Sequence, residues 1–269
     1  MFDIEDSGSM PFRPCAMMLK VHPLSKLQPS KVDESIISKL QVYIESEIRT
    51  FDYDLKPAVE IKGGISKPIK ASNHILFQSS GSGIKNLFEM GFAAQQALLF
   101  LSYLKLGCSL YFDEKDVVIP FSARMNIKDR KFEKPKKYGF AGMPLPEAKD
   151  LLYFELWGDH PDGFFTDNPK LDSVVRYCRY SPVIEGTGQL KFIMDKELIH
   201  LLVKTSAVKP DNRDIINAGM MLLNFIISAE MLNLKGEWKL FRDIDAARLQ
   251  AFNLPADAFH IATWHGQLF

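Results

Sequence analysis

The sequence predicts an α+β fold in which a mixed β-sheet is wrapped by helices and two related halves each carry a long central apolar helix. Three observations predict it. The first is a repeat: residues 90–112 (MGFAAQQALLFLSYLKLGCSLYF) and 218–240 (AGMMLLNFIISAEMLNLKGEWKL) align when Gly91 is matched with Gly219. Leu98 then meets Ile226, Leu99 meets Ile227, Leu104 meets Leu232 and Leu106 meets Leu234. A repeat this long implies two similar halves rather than a solenoid. The second is that short apolar strand-like runs alternate with helical patterns without forming a clean βαβ series. The third is bulk composition. The 269 residues are 46% hydrophobic and 25% charged, an ordinary globular balance that can bury a core.

The elements follow in order. Residues 1–16 read as an irregular arm. Ser30 with Asp33 makes a capping-box-like start, and Ile36, Ile37, Leu40 and Ile44 continue at helical spacing. A short strand is expected at 58–62 and another at 75–78. Gly81-Ser82-Gly83 is a turn: it lacks the third glycine and the Lys-Ser/Thr of a phosphate loop. The first repeat helix is expected over about 85–106 and a buried strand over 117–121. Residues 128–139 (KDRKFEKPKKYG) are basic, and read either as a solvated connector or as a phosphate-contacting loop. Leu151 to Leu156 suits a strand or a short helix. Asn168-Pro169 starts a helix, with Leu171, Val174, Val175 and Cys178 as its apolar stripe. Strands are expected at 190–194, 198–203 and 259–264, and the second repeat helix over about 216–233. The domain organisation is then an arm (1–16) and one domain (17–269) made of two halves, about 17–127 and 150–269.

Lys+Arg and Asp+Glu both number 33. The zero net charge argues against a nucleic-acid partner or an anionic membrane surface. The apolar run at 97–104 is too short to span a bilayer. Cys15, Cys108 and Cys178 are odd in number and scattered, and no secretory signal is legible, so a reducing cytoplasmic compartment is expected. His260 and His265 have the wrong spacing for one helical face and no acid-rich neighbourhood, so no metal is expected. Asp159-His160-Pro161-Asp162 carries suitable residue types for acid–base work, but its Pro and Gly neighbours read as a loop.

Glycine, apolar helix, Leu-x-Leu-Gly and strand, over residues 88–123, resembles the central helix of the nitroreductase family and the strand after it. Residues 17–46 sit where that family places an Arg-Arg-Ser-x-Arg element and its first helix. Residues 168–194 sit where it places a helix, an Ala-Pro-Ser-x-x-Asn-x-Gln-Pro-Trp element and a strand. The order of pieces resembles the tandem, fused variety of the family, typified by a Thermotoga protein. The motifs are altered. Lys20 replaces the first arginine, His22 the serine and Leu24 the last arginine; Val183 replaces a serine and Gly186 the asparagine.

The resemblance implies an FMN-dependent oxidoreductase. Hydride would pass from NAD(P)H to the flavin and on to a nitro compound, quinone or similar acceptor. It implies that Lys20, His22, Ser25 and Lys26 lie near the flavin phosphate. Lysine and histidine can meet a dianion, though without the planar fork of arginine. Thr187, Gly188 and Gln189 would lie along the ring or ribityl chain, with Gly107, Cys108 and Ser109 beside it. Gly107 also reads as a helix C-cap, and Gly186 and Gly188 as a plain turn. Nothing near Cys108 marks it as a nucleophile. The loss of two arginines and an asparagine supports an alternative: a non-catalytic protein of the same fold that has lost the flavin site. The expected partner is a small-molecule ligand. If the repeated helices bury one another, the chain contains its own dimer interface and is expected to be a monomer or a weak dimer.

Overall fold

The computed structural model describes residues 30–63, 73–79, 81, 83–113, 116–123, 147–159, 168–182, 189–195, 198–205, 210–240 and 250–266. Helix α1 (Glu34–Ser46) starts one turn later than expected. Asp33, not Ser30, is its N-cap, and its carboxylate accepts the Ser35 N–H at 2.8 Å. An aspartate directly before the helix outcompetes a serine three residues earlier. Strands β1 (Ala58–Gly63) and β2 (Asn73–Gln78) pair antiparallel. Helix α2 (Ile84–Tyr103) follows, then β3 (Gly107–Cys108), β4 (Tyr111–Asp113) and β5 (Asp116–Ser122).

The 151–156 segment takes the strand form: β6 (Leu152–Phe154), which follows a 3-10 turn (Ala148–Leu151). Helix α3 (Pro169–Cys178) is capped by Asn168 and buries Leu171, Val174, Val175 and Cys178, as its stripe predicts. Strands β7 (Gln189–Met194) and β8 (Leu198–Lys204) lead to α4 (Asn212–Met231), which starts before residue 216. There Asp211 and Asp214 form a reciprocal capping box that satisfies two helix-end N–H groups. Strands β9 (Gly236–Leu240) and β10 (Ala258–Gly266) complete the described fold.

The expectation of one mixed sheet is corrected. Among the described residues there are two five-stranded sheets. The first runs β1-β2-β5-β3, with β4 also on β5, and is antiparallel throughout. The second runs β6-β7-β8-β10-β9, and only β6–β7 is parallel. The strands before and after each long helix pair with one another and not with those of the other half, so each helix has its own sheet. Helix α2 packs on β2, β3 and β5, α4 packs on β7 and β8, and the two helices pack on each other.

That helix–helix contact is unusually close. Residues 87–101 of α2 are buried without a break. A Cβ on Gly91 would lie 2.0 Å from the Ile216 carbonyl oxygen, and one on Gly219 would lie 2.2 Å from that of Phe88. Glycine at both positions lets the backbones touch. Beside the crossing, Gln95 Nε2 donates to Asn224 Oδ1 at 2.7 Å. Helix α4 is apolar and long enough to cross a membrane, yet 83% of its most apolar window is buried within the fold.

Both helices end in the same way. Lys105 (φ 59°) and Asn233 (φ 54°) turn left-handed, Leu106 N–H donates to Leu101 O, and Leu234 N–H donates to Ala229 O. This is a Schellman ending. The C-cap reading of Gly107 is therefore corrected: Lys105 makes the left-handed turn, and Gly107 is already in a strand paired with Ser122.

Candidate functional site

The turn after α2 holds three of the expected flavin contacts, and all three are buried. Gly107 and Cys108 pair with Ser122 and Phe121 of β5, and Ser109 N–H donates to Pro120 O at 2.9 Å. Burial pushes the Cys108 thiol up to about 12, which leaves it a neutral, inert thiol. Gln189 is exposed at the start of β7, in the other sheet, where it pairs with Lys204. Lys20, His22, Ser25, Lys26, Thr187 and Gly188 lie outside the described residues. The four described candidates do not by themselves make a flavin cradle. Three have their backbone in a buried sheet edge, and the fourth is on the second sheet.

The corresponding turn after α4 is more open. Gly236, Glu237 and Trp238 line a cavity of about 80 Å³ with Phe51, Phe225 and Trp264. The Trp238 and Trp264 rings stand edge-on to Phe225, at centroid distances of 4.9 and 5.7 Å. Gly236 has no room for a side chain, because a Cβ would sit 2.3 Å from the Trp264 indole. Glu230, from the last turn of α4, adds a carboxyl to the lining. Burial pushes it up to about 7, against a smaller opposing pull from Arg49. The Trp238 indole N–H is buried without a hydrogen-bond partner among the described residues.

The wall that carries Phe51 is held in place by α2. Glu89 accepts the N–H groups of Phe51 (2.9 Å) and Asp52 (3.1 Å). Gln96 accepts the Arg49 N–H at 3.0 Å and donates to its carbonyl at 2.7 Å. Burial raises Glu89 to about 7, the two N–H bonds lower it less, and the charge of Asp52 adds to the rise. Sequence reasoning missed Phe51, Glu230, Trp238 and Trp264. The repeat was a usable signal, since matching Gly91 with Gly219 also sets Cys108 and Ser109 against Gly236 and Glu237.

A second polar group lies on β8 and β10. His200 is fully buried, with Nδ1 3.0 Å from Thr263 Oγ1 and Nε2 3.4 Å from Asp195 Oδ2. His260 Nε2 is 3.0 Å from the same hydroxyl. A carboxylate that accepts from His200 Nε2–H leaves Nδ1 to accept the threonine O–H. The hydroxyl oxygen then accepts from His260 N–H. Burial, with His200 beside it, lowers His260 to about 4, so His260 is a neutral imidazole at neutral pH. Among the described residues no three potential metal ligands gather.

No family model matches the chain. No curated protein matches it either. Its fold does match a crystal structure of a "putative nitroreductase" from Thermotoga maritima, with a TM-score of 0.59 and 11% identity. The match covers 95% of this chain and 94% of that one. At that identity the likeness establishes the fold alone: this chain has a nitroreductase-like α+β architecture.

Proposed function

We propose that the chain is an FMN-dependent oxidoreductase of the nitroreductase type, which passes hydride from NAD(P)H to a nitro compound, quinone or similar acceptor. The observation that supports this reading is the fold likeness across nearly the whole of both chains. Bound FMN would supply the hydride chemistry, and the protein would bind and orient it. Lys20, His22, Ser25 and Lys26 are assigned to the phosphate, Thr187, Gly188 and Gln189 to the ring and ribityl chain, and Gly107 to Ser109 to the neighbouring wall.

An internal duplication into halves of about 17–127 and 150–269 belongs to the same proposal. Three observations support it: the order α1-β1-β2-α2-β3/β4-β5 recurs as α3-β7-β8-α4-β9-β10; the two long helices share one ending; and Gly91 on Ile216 mirrors Gly219 on Phe88. A chain that carries both helices buries them internally, so a monomer or weak dimer in the cytoplasm, without nucleic-acid or membrane partners, is proposed. A tight, concentration-independent dimer in sedimentation would overturn the assembly.

A second reading keeps the fold without the flavin and gives the protein a binding or structural role. The burial of Gly107, Cys108 and Ser109 favours it. An absorbance spectrum before and after adding FMN separates the two. Flavin bands that persist through gel filtration support the oxidoreductase. A colourless protein with no binding overturns it and leaves the second reading.

A further inference from the structure

We propose that the cavity between Phe51 and the end of α4 is a binding site for a small organic ammonium ion that also carries a hydrogen-bond acceptor, such as a short amino alcohol. Among the described residues, none that lines the cavity is assigned to the flavin, and the test below reads ammonium binding without flavin, so its failure and that of the flavin reading are distinguishable.

Size comes first. A volume of about 80 Å³ accommodates on the order of five water-sized groups, at roughly 15 Å³ each. That is a molecule of a few heavy atoms. Its walls carry the rings of Phe51, Phe225, Trp238 and Trp264. Aromatic faces attract a cation through the ring quadrupole, and more strongly where water is thinned out. Glu230 supplies the counter-charge. The Arg49 charge acts on it from nearby, but no hydrogen bond to its carboxylate is found among the described residues, so an ammonium N–H would give it a charge-assisted bond. Glu237, also in the lining, is already paired with Lys239 at 3.0 Å and is not assigned a role.

The acceptor requirement comes from Trp238. Its side chain is 9% exposed, and its indole N–H is buried without a partner. A buried donor left unsatisfied is costly, and a ligand oxygen would relieve it. A bare alkylammonium answers Glu230 and the rings but not this donor. An ammonium with a hydroxyl answers all three.

The test follows tryptophan fluorescence of the full chain during titration with 2-hydroxyethylammonium, ethylammonium and the neutral control ethylene glycol. A saturable change with 2-hydroxyethylammonium is expected, with ethylammonium several-fold weaker and the glycol inert. Glu230→Gln is expected to weaken both cations at least tenfold. Trp238→Phe is expected to bring 2-hydroxyethylammonium down to the level of ethylammonium. Circular dichroism establishes that the variants remain folded. A linear, unsaturable response in the unaltered protein, an equal response to the glycol, or undiminished binding by folded Glu230→Gln would each overturn the proposal.

Discussion

The turn after α2 and the turn after α4 begin alike and diverge within three residues. Both reverse at a left-handed residue, Lys105 or Asn233, and both return an N–H to the last helical turn. The first then runs Gly107-Cys108-Ser109 into a buried edge of its sheet. The second runs Gly236-Glu237-Trp238 along the rim of a cavity. The backbone pattern is common and the side chains differ. In the repeat alignment Cys108 faces Gly236, both small, and Leu110 faces Trp238: the leucine is buried in the core, whereas the indole, edge-on to Phe225, lines the cavity. Shared backbone geometry therefore carries the fold, and a few side chains after it decide whether a cavity exists.

The strongest way to break the likeness is at the glycines that precede both turns. Gly91→Ala and Gly219→Ala each place a methyl against a carbonyl of the facing helix, and a backbone cannot rotate aside. Overpacking of this kind costs about 1–3 kcal/mol, and a rigid neighbour puts it at the upper end. At roughly 2–4 °C per kcal/mol for a chain of this size, each variant should melt about 6–12 °C lower. Equal losses by thermal unfolding would sharpen the equivalence of the helices. A loss confined to one would break it.

The two helices were the most legible part of the chain. A repeated apolar pattern anchored on glycine survives as a physical requirement, because close helix contact excludes every other residue. The α3 start was equally plain, since Asn168-Pro169 satisfies helix-end N–H groups locally. What was not legible depended on partners far along the chain. Strand β9 contains Gly236 and Lys239 and earns its place only by pairing with β10. The division into two sheets likewise follows from which helix each strand covers. The cavity was hidden for the same reason: Phe51 and Trp238 are brought together by Glu89 and by β10, and no local pattern announces that.

The second prediction sets the Glu89 anchor against its titration. Glu89 sits at about 7 in the fold against 4.5 in a free chain, chiefly through burial. A carboxyl raised by folding is protonated more readily in the native state. Its contribution is therefore most favourable below pH 4.5 and declines as pH rises to 7. Glu230, raised to about 7 as well, acts in the same direction. His260, lowered to about 4, opposes them: folding is penalised as pH falls from 6.5 toward 4. Denaturant unfolding of Glu89→Gln should therefore improve relative to the parent between pH 5 and pH 8. An unchanged difference across that range would sink the titration argument. Loss of the carboxylate also loosens Phe51, so the cavity after α4 should respond while the turn after α2 does not.

The smallest net effect is expected from a paired change where the helices are least alike. Gln95 meets Asn224 across the crossing, but the matched positions are Leu223 and Gln96, so the bond has no mirror image. It is also incomplete: Gln95 Oε1 and Asn224 Nδ2 are both buried without partners among the described residues. Removing one amide strands the other and should cost about 1–3 kcal/mol, while replacing both with apolar groups of similar shape can be nearly neutral. Gln95→Leu alone and Asn224→Leu alone should each destabilise, and the double variant should recover to within about 1 kcal/mol of the parent. A double variant as unstable as the sum of the singles would mean that the two amides are not coupled and that each contributes on its own. The crossing would then rest on its paired glycines and not on this lopsided bond.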